Sequence, residues 1–254
     1  MTEEVLRVNV EELYESAAAY LDIICGLQRK GKMAARSRQL AEEIKNELFN
    51  GTQLEVLMQR FGRDEIEPEG FNFAGQRIAC SSLKTVSRQH ILAGYAVLLR
   101  SPMPDISQLP VSKMYLADSW ETSLVDAGRD YLRPWLLERE TERLGQELYI
   151  SDTLAPGMAG MPSDCIRSFF GFMDGSRVGV SLTRSGMMNP VKSFVGIYLL
   201  LDRQEVIRTA NCGECASQGK TCAYCKDFAQ RHFGGDFEPE LQRADKTLLG
   251  QWRS

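Results

Sequence analysis

Four of the seven cysteines fall within fourteen residues, as Cys212-Gly-Glu-Cys215 and Cys222-Ala-Tyr-Cys225 with six residues between the pairs. A Cys-x-x-Cys knuckle holds two sulfurs at the separation that chelates one metal centre, and its N–H groups can point at the thiolates. Two such pairs supply four thiolates, the complement of a tetrahedral zinc or of an iron–sulfur cluster. The stretch is polar, with Gly213, Gly219 and two lysines, so packing does not explain its cysteines. Zinc ribbons separate their pairs by roughly a dozen residues or more. The gap of six therefore favours a [4Fe-4S] cluster, with zinc as the alternative. Cys25, Cys80 and Cys165 are scattered singly and read as small buried hydrophobes. With only His90 and His232 in the chain, schemes built on several histidines are excluded. His90 reads as a satisfied residue on a helix.

The background to these cysteines is an ordinary globular composition. Thirty basic against 34 acidic residues give a net charge of -4, which leaves no positive excess for screening a phosphate backbone or an acidic membrane. The longest apolar stretch, Phe194 to Leu201, is far short of the ~20 residues that span a bilayer. The start, Met-Thr-Glu-Glu, lacks the basic and apolar segments of a secretory signal, and the expected location is cytoplasmic.

The first half reads as helical. Leu13, Ala17, Tyr20, Ile24 and Leu27 recur at steps of four and three, and Leu40, Ile44 and Leu48 repeat the pattern up to a left-handed stop at Asn50-Gly51. The basic stretch Gln28 to Arg38 reads as a solvated turn, and Arg63 to Gly75 as a connection. Ile78 to Leu99 resumes helical spacing. Three prolines between Ser101 and Pro110 impose an extended link. Trp120, Leu124, Ala127 and Tyr131 form a further helix, and Pro134 interrupts it or opens the next.

Past residue 150 the period changes. Pro162-Ser163 opens a short helix with Ile166, Phe169, Phe170 and Met173 on one face and Gly175 at its C-cap. Val178, Val180 and Leu182 alternate as a strand, as do Val195, Ile197, Leu199 and Leu201, and the two form a hairpin around the irregular loop Thr183 to Lys192. In that loop the adjacent Met187 and Met188 read as packing.

From Ile150 onward the order of motifs resembles the activation domain of cobalamin-dependent methionine synthase. The matching residues are Thr153-Leu-Ala-Pro-Gly157-Met158, then Pro162 and the short helix, then Val178-Gly-Val-Ser-Leu-Thr183-Arg-Ser185-Gly-Met187-Met188-Asn-Pro190-Val-Lys-Ser193. The helical segment Leu116 to Ala127 is compatible with the same family. The resemblance implies an α+β fold with helices packed around a twisted antiparallel sheet over residues 1-208. Its helical half spans about 1-148 and its hairpin half about 150-208, followed by a small cysteine-rich metal-binding C-terminal segment at 209-254.

The resemblance also implies a function. Activation domains restore a corrinoid protein whose cobalt has fallen from Co(I) to Co(II), holding S-adenosylmethionine over the corrin while an external donor supplies the electron. Thr153, Ala155, Gly157 and Met158 would then lie at the cofactor turn, and Arg184, Met187 and Met188 on the face toward the corrin. Thr153 stands where the family has arginine and Met158 where it has tyrosine, so the bidentate guanidinium clamp on a carboxylate is absent and no S-adenosylmethionine affinity is expected. The implied partner is a corrinoid protein or cobalamin-dependent methyltransferase, with ferredoxin or flavodoxin as a low-potential donor. Joined to the cysteine motif, the expectation is that a cysteine-bound iron–sulfur cluster reduces a partner's cobalamin. The alternatives are a non-catalytic corrinoid-protein binding or assembly module braced by zinc, and a reactivation protein that binds S-adenosylmethionine.

Overall fold

The computed structural model describes residues 3–27, 31–158 and 160–203. The four clustered cysteines and His232 lie outside the described residues. In chain order the elements are β1 (Glu3–Asn9), α1 (Tyr14–Ile24), α2 (Lys32–Ile44), β2 (Gln53–Phe61), β3 (Ile66–Glu67), β4 (Gly70–Phe73), β5 (Gln76–Ala79) and β6 (Ile91–Arg100). There follow α3 (Val111–Leu144), β7 (Tyr149–Ile150), α4 (Ile166–Phe169), β8 (Ser181–Leu182), β9 (Met188–Asn189) and β10 (Ser193–Leu201).

Five strands pair antiparallel in the order β1-β2-β6-β10-β7, and β3-β4-β5 form a second, smaller antiparallel sheet. Both faces of the larger sheet are covered. On one, Val56, Met58, Tyr95, Val97, Leu99 and Tyr198 pack with Leu13, Ala17, Trp120 and Leu124 from the helices. On the other, Leu57, Phe61, Leu98, Val195, Ile197 and Leu199 pack with Phe71, Phe73 and Ile78 of the small sheet and with Phe169 and Met173. In that second layer Phe61 meets Phe73 edge-on at 4.9 Å and Phe71 at 5.8 Å, contacts worth about 0.5–1.5 kcal/mol each beyond the area they bury.

This two-sided burial overturns the helical reading of Ile78 to Leu99. The stretch holds β5, two short 3-10 turns and β6. A central strand covered on both faces needs a near-continuous apolar run, and periodicity cannot separate such a run from a buried helix. Ile91-Leu-Ala-Gly-Tyr-Ala-Val-Leu-Leu, rich in Ala and Leu, is of that kind. Leu92 has no partner between the pairs Ile91↔Leu201 and Ala93↔Leu200. This bulge turns Ile91 toward the small-sheet layer while Ala93 joins the helical one. The first half is therefore not all helix, since β1, β2 and β6 come from it.

Five smaller expectations change as well. Arg63 to Gly75 carries β3 and β4 rather than a bare connection, and the basic link is shorter than Gln28 to Arg38 because α2 begins at Lys32. Helix α3 runs through Pro134 without a break; at ~1.5 Å per residue it is about 50 Å long. The short helix ends at Phe169, and the left-handed stop falls at Gly179 (φ +65) after a 3-10 turn over Gly175–Val178, so Val178 is no strand residue. Finally, β8 pairs with β9 alone, whereas β10 pairs with β6 and β7, so the two expected strands do not form a hairpin with each other. The helix over residues 14–24 and the left-handed Gly51 (φ +72) agree with the sequence reading. Cys80 and Cys165 are buried, and Cys25 is half-buried against the helical core.

Candidate functional site

The turn that carries Thr153 follows β7 along the edge of β10. Ser151 N–H donates to the Leu199 carbonyl at 2.9 Å, and Leu154 and Ile197 exchange hydrogen bonds of 2.8 and 2.7 Å. Thr153 is thereby held inward, 7% exposed. Its methyl lies where a Cβ on Gly196 would come within 2.8 Å, and the Phe194 ring would be equally close, so only glycine fits between them. The Tyr198 O–H donates to the Arg129 carbonyl at 2.9 Å. Burial pushes that phenol to about 12. Ala155 is buried. Gly157, at φ +81, donates to the Met161 carbonyl at 2.8 Å, and Met158 N–H donates to the Ala155 carbonyl at 2.9 Å. The Gly157 and Met158 amides are thus consumed by the turn itself.

The second predicted segment, the loop through Arg184, Met187 and Met188, is closed by Thr183. The Thr183 N–H donates to the Met187 carbonyl at 2.9 Å, its hydroxyl accepts from Met187 N–H at 3.1 Å, and Gly186 N–H donates to the Thr183 carbonyl at 2.9 Å. Arg167 anchors the loop from outside by donating to the Arg184 carbonyl at 3.0 Å. The two methionines divide the roles expected of them: Met188 packs against the small-sheet core, while Met187 is 57% exposed. The Arg184 side chain is also exposed. Among the described residues no hydrogen bond joins this loop to the Thr153 turn; they meet only through β10, which the loop enters at Ser193 and the turn flanks at Gly196.

A third group at the same end of β10 is polar and comes from one face of α3. Lys192, just before the strand, donates to Asp118 Oδ2 at 3.0 Å and Thr122 Oγ1 at 2.8 Å. Glu121 is 8% exposed; burial first, then the negative charge of Asp118, raises its carboxyl to about 7 against the opposing pull of Lys192. About two turns further on, Arg129 lies 4.8 Å over the Phe194 ring and pairs with Asp126 at 2.9 Å. The arrangement can hold or release a proton near neutrality at Glu121, and can offer a cation and a flat ring to a ligand. Sequence reasoning placed Asp118, Glu121 and Lys192 in segments resembling a family without singling them out. The available signal was the spacing Asp118, Glu121, Thr122, Asp126, Arg129, which lines one helical face. His90 stands on a 3-10 turn rather than a helix, and its Nδ1 is 2.8 Å from Asp202 Oδ1.

The described residues define an α+β class of fold, helices and a small sheet on the two faces of an antiparallel five-stranded sheet. Within that class the chain is similar to a crystal structure of the MetH reactivation domain bound to AdoHcy, with a TM-score of 0.50 and 10% identity over 81% of this chain and 80% of that one. At that identity the likeness establishes the fold. No protein-family model and no curated protein matches the chain.

Proposed function

We propose that this protein serves in the activation of a corrinoid protein, returning its cobalt from Co(II) to Co(I). The observation that carries the reading is the likeness in fold to a MetH reactivation domain across most of both chains. It is supported by the Thr153 to Ser193 motifs, which the sequence presents in the order of that family. The corrinoid cobalt is the substrate and gains one electron. The exposed Met187 and Arg184 supply a soft apolar contact and a positive charge for the corrin edge, while Thr183 and Arg167 hold the loop in shape. The donor set Cys212, Cys215, Cys222 and Cys225 suits an iron–sulfur cluster by its chemistry, and a cluster held there would supply that electron and be recharged by a ferredoxin or flavodoxin. The partner is a corrinoid protein or cobalamin-dependent methyltransferase.

The test is iron, sulfide and zinc analysis of anaerobically purified protein, followed by reduction of a Co(II) corrinoid protein monitored by the cob(II)alamin radical signal. Brown protein that reduces the corrinoid is expected, with Cys222→Ser losing both colour and reduction. Colourless protein with one zinc would overturn electron transfer by this chain. Failure to bind any corrinoid protein would overturn the activation role itself.

A further inference from the structure

The ammonium of Lys192 acts on two carboxyl groups of α3, Asp118 and Glu121, but is bonded to the first alone. It donates to Asp118 Oδ2 at 3.0 Å and to Thr122 Oγ1 at 2.8 Å. Glu121 is 8% exposed and makes no hydrogen bond among the described residues. Neither of its oxygens is fully shut off from water, so both can be reached by a donor. A carboxyl withdrawn this far from solvent is tolerated as the neutral acid and is costly as an unpaired anion.

The helix sets the distances. Asp118 and Glu121 are three residues apart and Asp118 and Thr122 four, and side chains at those spacings are neighbours, with Cβ atoms about 5–6 Å apart. Lysine carries three N–H donors on a flexible four-carbon stem. The Lys192 main chain is fixed by Ser101, whose N–H donates to the Lys192 carbonyl at 3.1 Å. Its ammonium can therefore pass from one carboxyl to the other without disturbing β10. No other cation competes for the role: Asp118 and Lys192 are the charged groups that act on Glu121. Arg129, further along the helix, is occupied by Asp126 and the Phe194 ring. From the neighbouring elements Ser101 and Ser193 bring no charge. The Asp118 side chain is 56% exposed, so water can take over its solvation when the ammonium leaves.

We propose that Lys192 is a two-position latch: it holds Asp118 and Thr122 while the Glu121 carboxyl is protonated, and moves to Glu121 when that carboxyl ionises, leaving Asp118 as a free carboxylate at the surface. The described arrangement is the first position. The change consists of one proton passing from Glu121 to water, with no other covalent bond made or broken, and the site becomes more negative by one charge. Burial, then the charge of Asp118, brings it close to neutral pH. In acid this end of β10 presents a neutralised ion pair, and in alkali an unpaired anion able to meet a cationic group on a partner. The latch is a property of the chain itself and does not depend on the corrinoid role.

The experiment is an NMR titration of the full 254-residue chain from about pH 5 to about pH 9, following the carboxyl carbons of Asp118 and Glu121 and the methyl group of Thr122. Glu121 is expected to ionise at about 7, and the Thr122 and Asp118 signals to shift with the same midpoint as the ammonium departs. Ionisation of Glu121 with the Thr122 methyl unmoved would overturn the latch, as would a Glu121 that does not ionise in this range; both outcomes are read on the native chain. Lys192→Met separates movement from the field of the new charge. In that variant Glu121 should ionise at higher pH while the Thr122 shift is lost, and a Thr122 shift that persists would overturn the proposal.

Discussion

Replacing Glu121 with glutamine should stabilise the protein above neutral pH and leave it unchanged in acid. The carboxyl rises from 4.5 to about 7, first through burial and then through Asp118, against the pull of Lys192. At ~1.4 kcal/mol per unit the ceiling is about 3 kcal/mol. Glu121 lies beside partly solvated charges, Asp118 at 56% and Lys192 at 23% side-chain exposure, and water screening reduces the expected value to about 1–2 kcal/mol. The folded state binds the proton more tightly than the unfolded state, so between 4.5 and about 7 stability falls as pH rises. Below that window the penalty is absent, and above it the penalty is complete. Urea unfolding of the native protein and Glu121→Gln from about pH 4 to about pH 8 gives the difference curve directly. It should be near zero in acid and should climb across the window to favour glutamine by about 1–2 kcal/mol. A flat difference, or a variant less stable at the alkaline end, would refute the assignment of a buried, partly protonated carboxyl at this site.

Two further predictions concern the core. Glu140 is fully buried and held by Tyr95 Oη at 2.7 Å, Arg60 Nε at 3.2 Å and Arg143 at 2.9 and 2.7 Å; burial raises its pKa, but the Arg143 and Tyr95 hydrogen bonds and the positive charges of Arg60 and Arg143 together outweigh that and lower it. Glu140→Gln should cost about 2–4 kcal/mol and Tyr95→Phe about 1 kcal/mol by urea unfolding, with the Glu140 contribution fading as pH falls through its depressed pKa. At Gly94 a Cβ would lie 2.3 Å from Phe61 Cζ and 2.8 Å from the Tyr198 carbonyl oxygen. Gly94→Ala should therefore cost about 1–3 kcal/mol and change the near-UV signal of the Phe61, Phe71 and Phe73 cluster; an unperturbed spectrum and unfolding midpoint would contradict this packing.

Helix α1, the left-handed stop at Gly51, the extended link before α3 and the strand β10 were all legible in the sequence because each is set by local period or local chain chemistry. The strand β6 was not. Its Ala- and Leu-rich run is equally compatible with a buried helix, and only the presence of β2 on one side and β10 on the other gives its backbone groups partners in a sheet. Small strands such as β3, β4 and β9 are too short to leave a period. For the site, the motif residues Thr153 and Met187 could be named from the sequence, but their environments could not: Thr153 turns inward to Tyr198, and Met187 stands clear while Met188 packs. Glu121 looked like any charged residue of an amphipathic helix until Lys192, seventy-one positions away, was brought beside it.

By itself the sequence determined the spacing of the four clustered cysteines, the near balance of acidic and basic residues and the order of motifs from Thr153 to Ser193. These depend on residue type, net charge and short spacing, which folding does not alter. Tertiary structure alone decided which strand is central, which amides the Thr153 turn consumes and which carboxyl is pushed toward neutrality. It also decided that this carboxyl, on Glu121, would lie near an ammonium that is bonded elsewhere. Each of these is a matter of which distant groups become neighbours and how much water is left between them.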